Sequence, residues 1–212
     1  MKTLNIRITF FEKCLGTASA DPEVYSNFIA SKAPDAPKME EEIEAIGAEE
    51  YEEKKATVFP KIDGKPFFWD YQLKGFFKDS CSALRRCKGE DFAKASCGMK
   101  SYKKIIDGCI FPEPRRIMIN MDGGFIDYLQ RPLRASTAQG ERIALAMSET
   151  IPEGSTIQFK IVLLSDDHEK AVREWLNYGR FKGLGQWRNA GFGRFLWEEL
   201  DDDGEVIGGN AL

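Results

Sequence analysis

The 212-residue chain holds one histidine, His168, and five cysteines, Cys14, Cys81, Cys87, Cys97 and Cys109. The cysteines are odd in number and no two have CxxC spacing. That pattern speaks against a disulfide framework or a zinc site and for reduced thiols in an intracellular, cytoplasmic protein. No apolar run approaches the roughly 20 residues of a membrane helix, so no membrane partner is expected. The opening MKTLNIRITFFEK alternates like a strand and lacks a small-residue cleavage site, so no signal peptide is expected. Neither GxGxxG opening a helix nor GxxxxGK[ST] occurs, which removes the common dinucleotide and P-loop readings. There is no internal repeat, and no cofactor is implied.

What is present is charge, unevenly placed. Thirty Lys and Arg against 34 Asp and Glu give a formal net charge of −4. Residues 34–56 carry nine acids and three lysines, a net of −6. Residues 198–205 hold six acids and no base. Residues 70–116 hold eleven bases and six acids, a net of +5. With the acids gathered in two blocks, the rest of the chain is basic enough to present a positive face.

Periodicity places the elements. Leu4, Ile6, Ile8 and Phe10 alternate with polar residues, the mark of a half-buried strand over Lys2–Phe10. Residues 22–56 read as an acidic helical insert, entered at Asp21-Pro22-Glu23. Residues 57–69 read as a hairpin around Asp63-Gly64. From a cap at Asp70, a helix to about Cys87 puts Leu73, Phe76, Phe77, Cys81 and Leu84 on one face and Lys74 and Lys78 on another. Residues 88–104 read as a polar loop. Strands are expected over 105–120, 125–129, 142–151 and 156–164. A helix to Tyr178 is expected from a capping box at Asp166 and Glu169, and a last strand over 192–199. Residues 1–200 then form one domain, and 201–212 a flexible acidic tail.

The most unusual stretch is residues 179–194, GRFKGLGQWRNAGFGR. It has five glycines, four cations (Arg180, Lys182, Arg188, Arg194), three aromatics (Phe181, Trp187, Phe192) and no acid. Glycine permits positive φ and close backbone approach. Exposed amides with cations suit phosphates, and aromatics with arginine suit unstacked bases. The stretch reads either as a loop gripping a nucleic-acid backbone or as a glycine-rich turn with solvated arginines.

Three segments carry a resemblance. Pro66 to Lys78, PFFWDYQLKGFFK, resembles the P-x-I-P-G-S-S-L-K-G-x-x-R helix start of the RAMP superfamily, the RNA-binding proteins of CRISPR systems. Arg134-Ala135-Ser136-Thr137 with Glu149-Thr150-Ile151-Pro152-Glu153-Gly154-Ser155-Thr156 resembles that family's R-x-T … E-x-V-P-x-G-T stretch. Gly183-Leu184-Gly185 to Gly191-Phe192-Gly193-Arg194-Phe195 is similar to the glycine-rich loop before its last strand. The similarity covers roughly residues 57–199 and the opening strand. Here Trp69-Asp70 and Tyr71-Gln72 stand where the family has Pro-Gly and Ser-Ser.

The resemblance implies an α+β, ferredoxin-like (RRM-like) antiparallel sheet with helices on one face, decorated by the insert and extra hairpins, in a stand-alone phage or prophage relative. It implies a non-catalytic protein that binds RNA or single-stranded nucleic acid. Lys74, Gly75, Lys78, Arg134, Arg180, Lys182, Gly183, Gly185, Trp187, Arg188, Gly191 and Gly193 are the implied contacts. The alternative is a RAMP-shaped interaction module that docks RAMP-type subunits or itself, or modulates a CRISPR effector. A third reading, a metal-independent endoribonuclease, has only His168, Tyr71 and Lys74 to draw on.

Overall fold

The computed structural model describes residues 1–19, 56–137 and 140–210, without the side chains of residue 56 and residues 132–145. The expected helical insert lies outside the described residues up to residue 55, and so does the side chain of Arg134.

Strand β1 (Lys2–Phe10) follows its alternation: Leu4, Ile6, Ile8 and Phe10 are buried. Short strands β2 (Cys14–Leu15), β3 (Ala18–Ser19), β4 (Ala56–Val58) and β5 (Lys61–Ile62) lead to β6 (Lys65–Trp69). Asp63-Gly64 turns β5 into β6, with φ of 50° and 74°. Helix α1 (Asp70–Leu84) buries Leu73, Phe76, Phe77, Cys81 and Leu84, the stripe expected from spacing. Its N-terminus differs from expectation. Asp70 is inside the helix, and Gln72 Oε1 accepts the Trp69 N–H at 2.8 Å instead.

Residues 88–104 are not all loop. They contain helix α2 (Lys94–Cys97) and the start of α3 (Tyr102–Cys109). The cause is tertiary: the Glu174 carboxylate accepts the N–H groups of Ala95 (2.7 Å) and Ser96 (2.8 Å) and so caps α2 from a distant element. In α3 the spacing of Tyr102, Ile106 and Cys109 is helical, so the strand expected from residue 105 begins only at β7 (Ile110–Glu113). Strands β8 (Arg116–Asn120), β9 (Asp127–Thr137), β10 (Gly140–Ile151) and β11 (Thr156–Leu163) follow. Helix α4 (Glu169–Lys182) runs past Tyr178 and takes in Gly179, Arg180 and Lys182, which the sequence places in a loop. Ser165, rather than Asp166, accepts at its entry, from Asp167 N–H at 3.3 Å. Strand β12 (Phe195–Leu200) starts three residues later than expected.

The described residues of the acidic tail, 201–210, continue the sheet. Asp201 Oδ1 accepts the N–H groups of Asp203 and Glu205, and β13 (Val206–Gly209) returns antiparallel to β12. Gly209 (φ 136°) allows that return, because a Cβ there would strike the Trp197 carbonyl.

One antiparallel sheet has the order β13-β12-β1-β11-β8-β6-β5, with β7 pairing the far half of β11. Helices α1 and α4 cover one face through aromatic contacts: Phe76–Phe195 at 5.3 Å and Phe77–Trp175 at 5.6 Å between centroids. The other face is polar, and there Arg7 pairs with Glu198 at 2.7 Å. A second sheet is built on β10. It has β9 along one side and β2 and the parallel β4 along the other.

Candidate nucleic-acid interface

The glycine stretch joins the two sheets. From Gly183 it leaves α4, passes under β2 and re-enters at β12. Gly193 N–H donates to Lys13 O (2.8 Å), Leu184 N–H to Gly193 O (2.8 Å) and Gln186 N–H to Leu15 O (3.3 Å). The glycines are where the backbones touch. A Cβ on Gly183 would strike the Gly193 carbonyl, one on Gly193 the Leu184 carbonyl, and one on Gly185 the Leu15 carbonyl. All three have positive φ. Gly191 (φ 96°) instead ends the 3-10 turn Arg188–Ala190, beneath the Arg194 side chain. So these glycines first serve chain packing, and several of the amides expected for phosphate are bonded internally.

The side chains of the same stretch point elsewhere. Trp187 has left-handed backbone (φ 52°, ψ 34°) and keeps 43% of its surface exposed. Its ring stacks on Phe192 at 5.1 Å and 14°. The Arg131 guanidinium from β9 lies 4.1 Å from the Trp187 ring centroid. The fold thus sets Arg131 on the tryptophan. Next to it, Thr57 donates to Ser148 Oγ (2.8 Å) and lies 3.4 Å from Gln186 Oε1. On the opposite face of β10, the buried Glu149 carboxylate accepts from Phe59 N–H (2.8 Å) and Lys61 Nζ (2.6 Å). Glu149 thus fixes the strands beneath the platform.

Of the cations expected to meet phosphate, Lys74, Lys78, Lys182 and Arg188 have polar partners. Arg188 pairs with Asp79 of α1 at 2.9 Å. Lys78 pairs with Asp107 of α3 at 2.6 Å. Lys74 donates to the Asp107 carbonyl at 3.2 Å, and its ammonium sits 4.4 Å from the Phe111 ring centroid. Burial holds the Lys74 pKa below the usual lysine value, with Asp107 acting the other way. Lys182 donates to Asn189 Oδ1 at 3.0 Å. Between the Arg188–Asp79 and Lys78–Asp107 pairs, Gly75 is exposed, with open space where a Cβ would be. Lys74, Gly75, Lys78 and Arg188 therefore share the outer face of α1. Arg180, on the last turn of α4, belongs instead beside Phe181. Asp79 and Asp107 are what sequence reasoning missed. Nothing local marks them, because their partners come from other elements.

No family model matches the sequence, and no curated protein matches it. Solved structures do match its shape. A chain of the type III-B Cmr-beta complex bound to cognate target RNA has a TM-score of 0.50 and 14% identity, covering 98% of this chain and 59% of that one. The fold is RAMP-like. Cmr6 from Pyrococcus furiosus has a TM-score of 0.46 and 11% identity, covering 92% of this chain and 97% of that one. The chain thus spans 59% of the length of the Cmr-beta chain. Among the described residues, no helix is long and apolar enough to cross a membrane, and no cluster of His, Cys, Asp or Glu is placed to hold a metal ion.

Proposed function

We propose that this protein binds single-stranded RNA without cleaving it. A base stacks at the Trp187 platform, and phosphates run over the outer face of α1. The carrying observation is the exposed Trp187, held by Arg131 and Phe192 on a welded loop. Aromatic and guanidinium planes together are what unstacked bases pack on. The RAMP-like fold supports the reading, since the Cmr-beta chain of like fold comes from a complex with target RNA. His168 precedes the first residue of the 14-residue α4, and the platform follows its last turn. About 21 Å of helix axis therefore separates His168 from the Trp187 end of the proposed RNA face, which favours a binding role there over cleavage.

The test is fluorescence anisotropy of a labelled single-stranded RNA at low and moderate salt. Affinity should fall steeply with salt. Trp187→Ala should weaken it roughly 5- to 100-fold. Trp69, Trp175 and Trp197 are buried, so quenching of intrinsic fluorescence by RNA should report Trp187 and vanish in that variant. Absence of binding at low salt would sink the proposal.

A protein partner is a second reading, favoured by the sheet edge β13. There Ile207 is 61% exposed, beside the acidic turn of residues 201–205. Ile207→Lys should abolish any self-association seen by sedimentation, and a monomer at all concentrations would remove the self-docking form.

A further inference from the structure

On the helical side, a hollow of about 680 Å3 lies between the end of α1, the 3-10 turn Asp91–Ala93, α4 and the end of β13. Its apolar walls include Leu84, Tyr178, Phe92 and Phe181. The two phenylalanines are 60% and 65% exposed, which is unusual for side chains that gain by burial. Arg180 lines the hollow, 5.6 Å from the Phe181 ring centroid. Arg86 and Lys88 extend exposed beyond the end of α1, and Arg85 lies over the Tyr102 ring, 5.1 Å from its centroid. Glu174 also lines the hollow, with its oxygens directed at the α2 amides that it caps. The floor is polar on one side. Asn177 and Asn210 both spend their side-chain oxygens on Trp197, accepting its indole N–H (2.8 Å) and backbone N–H (2.9 Å). The NH2 group of the exposed Asn177 is then left to offer, whereas Asn210 Nδ2 is buried without a hydrogen-bond partner. Aromatic walls, the Asn177 amide donor and the Arg180 guanidinium suit a flat ring that bears acceptors and a phosphate.

The hollow also adjoins the proposed RNA face. Tyr178 lines the hollow, its ring 6.4 Å from that of Phe181, and Asp79, the partner of Arg188, precedes the lining Leu84 on α1 by about 7.5 Å of helix axis. A strand that leaves Trp187 along Arg188 and follows α1 toward Leu84 therefore comes to the hollow.

We propose that this hollow receives a second unstacked base of the strand bound at Trp187, seated against Phe92 and Phe181 with a neighbouring phosphate toward Arg180. The assignment rests on the RNA-binding reading above and adds a site to it.

Labelled RNAs of about 5 and about 15 nucleotides separate the two sites, the longer being able to span both. Phe181→Ala and Phe92→Ala remove exposed side chains, so the fold should survive, with circular dichroism as the check. Both variants should bind the short RNA as the natural chain does, retaining Trp187 quenching, and should bind the long RNA roughly 5- to 100-fold more weakly. Ultraviolet crosslinking of a 4-thiouridine-substituted long RNA should label the peptide carrying Phe92 or Phe181. Equal long-RNA affinity in the double variant, with no crosslink at either residue, would overturn the second site and leave the first standing. Failure of the natural protein to bind either RNA would overturn both. Unchanged RNA affinity together with loss of self-association in Phe181→Ala would make the hollow a protein interface and overturn the base assignment.

Discussion

Replacing Gly193 by alanine places a methyl group inside the contact radius of the Leu184 carbonyl oxygen. The same residue donates to Lys13 O and accepts from Leu184 N–H, both at 2.8 Å, so it cannot move aside without breaking a bond on either flank. Its φ of 72° adds about 1 kcal/mol for any side chain held in left-handed backbone. Overpacking adds about 1–3 kcal/mol, and a strained hydrogen bond about 1 kcal/mol more. The sum, about 3–5 kcal/mol, should lower the thermal midpoint of a chain this long by roughly 6–20 °C. Gly75→Ala is the control. It sits inside α1 with nothing within 4 Å of the added Cβ, so helix propensity should dominate and stabilise by about 0.5–1 kcal/mol. Thermal melts by circular dichroism, with guanidinium titrations to show an unchanged slope, measure both. A Gly193→Ala protein melting within about 2 °C of the natural chain would refute the packing role and return that glycine to a ligand role. If RNA backbone runs over α1, Gly75→Ala should weaken RNA binding while raising stability, a pair of signs that general destabilisation cannot produce.

Asp79→Asn releases Arg188 from its carboxylate, and should tighten RNA binding a few-fold at low salt and steepen the salt dependence by about one phosphate contact. Its stability cost should stay below about 1 kcal/mol, because both groups are partly exposed. Anisotropy titrations at several salt concentrations decide this, and weaker binding would make Asp79 a positioning residue instead. Glu149→Ala leaves Lys61 and the Phe59 N–H without their buried acceptor and should cost about 2–4 kcal/mol in denaturant unfolding, whereas Glu149→Gln should cost less. In cysteine alkylation at pH 8, Cys14 should stay unmodified, since burial pushes its thiol far up, and Cys81, pushed up to about 11, should react slowly. The partly exposed Cys87, Cys97 and Cys109 should carry the label in peptide mass spectra, and early modification of Cys14 would contradict its burial.

Elements whose signal is local were legible. The alternation of β1, the Asp63-Gly64 turn and the apolar stripes of α1 and α4 each report burial within one element, and period alone assigns them. Helix α2 was not legible, because its cap is Glu174, on a helix far along the chain. Strand β13 was hidden because an acidic, glycine-containing stretch scores as coil until Asp201 closes its turn and Trp197 supplies its partner. The platform was half legible. The composition of residues 179–194 marked Trp187 and Arg188, and the resemblance marked Lys74, Gly75 and Lys78. The counter-charges Asp79 and Asp107 depend on which helices end up adjacent, and so does the choice of Arg131 as the cation over Trp187.

The weld made by the glycines and the platform made by Trp187 are two consequences of one arrangement. A glycine-rich loop that was free in solution would lose conformational freedom on binding, at about 0.5–1.5 kcal/mol for each side chain immobilised. Here Leu184, Gln186 and Gly193 are already tied to neighbouring backbone on both sides of Trp187, and Ala190 N–H donates to Trp187 O at 2.9 Å. These bonds hold a bulky residue in left-handed backbone, a conformation that persists only where the surroundings over-determine it. The strain is offset in folding rather than in binding. A base that stacks there meets a ring already fixed in place by Arg131 and Phe192, so little of the stacking energy is spent on ordering the loop. Under the proposed RNA-binding function, the same reasoning gives Gly183, Gly185 and Gly193 an indirect share in affinity. Loosening any of them should weaken binding by freeing Trp187, even where RNA touches none of them.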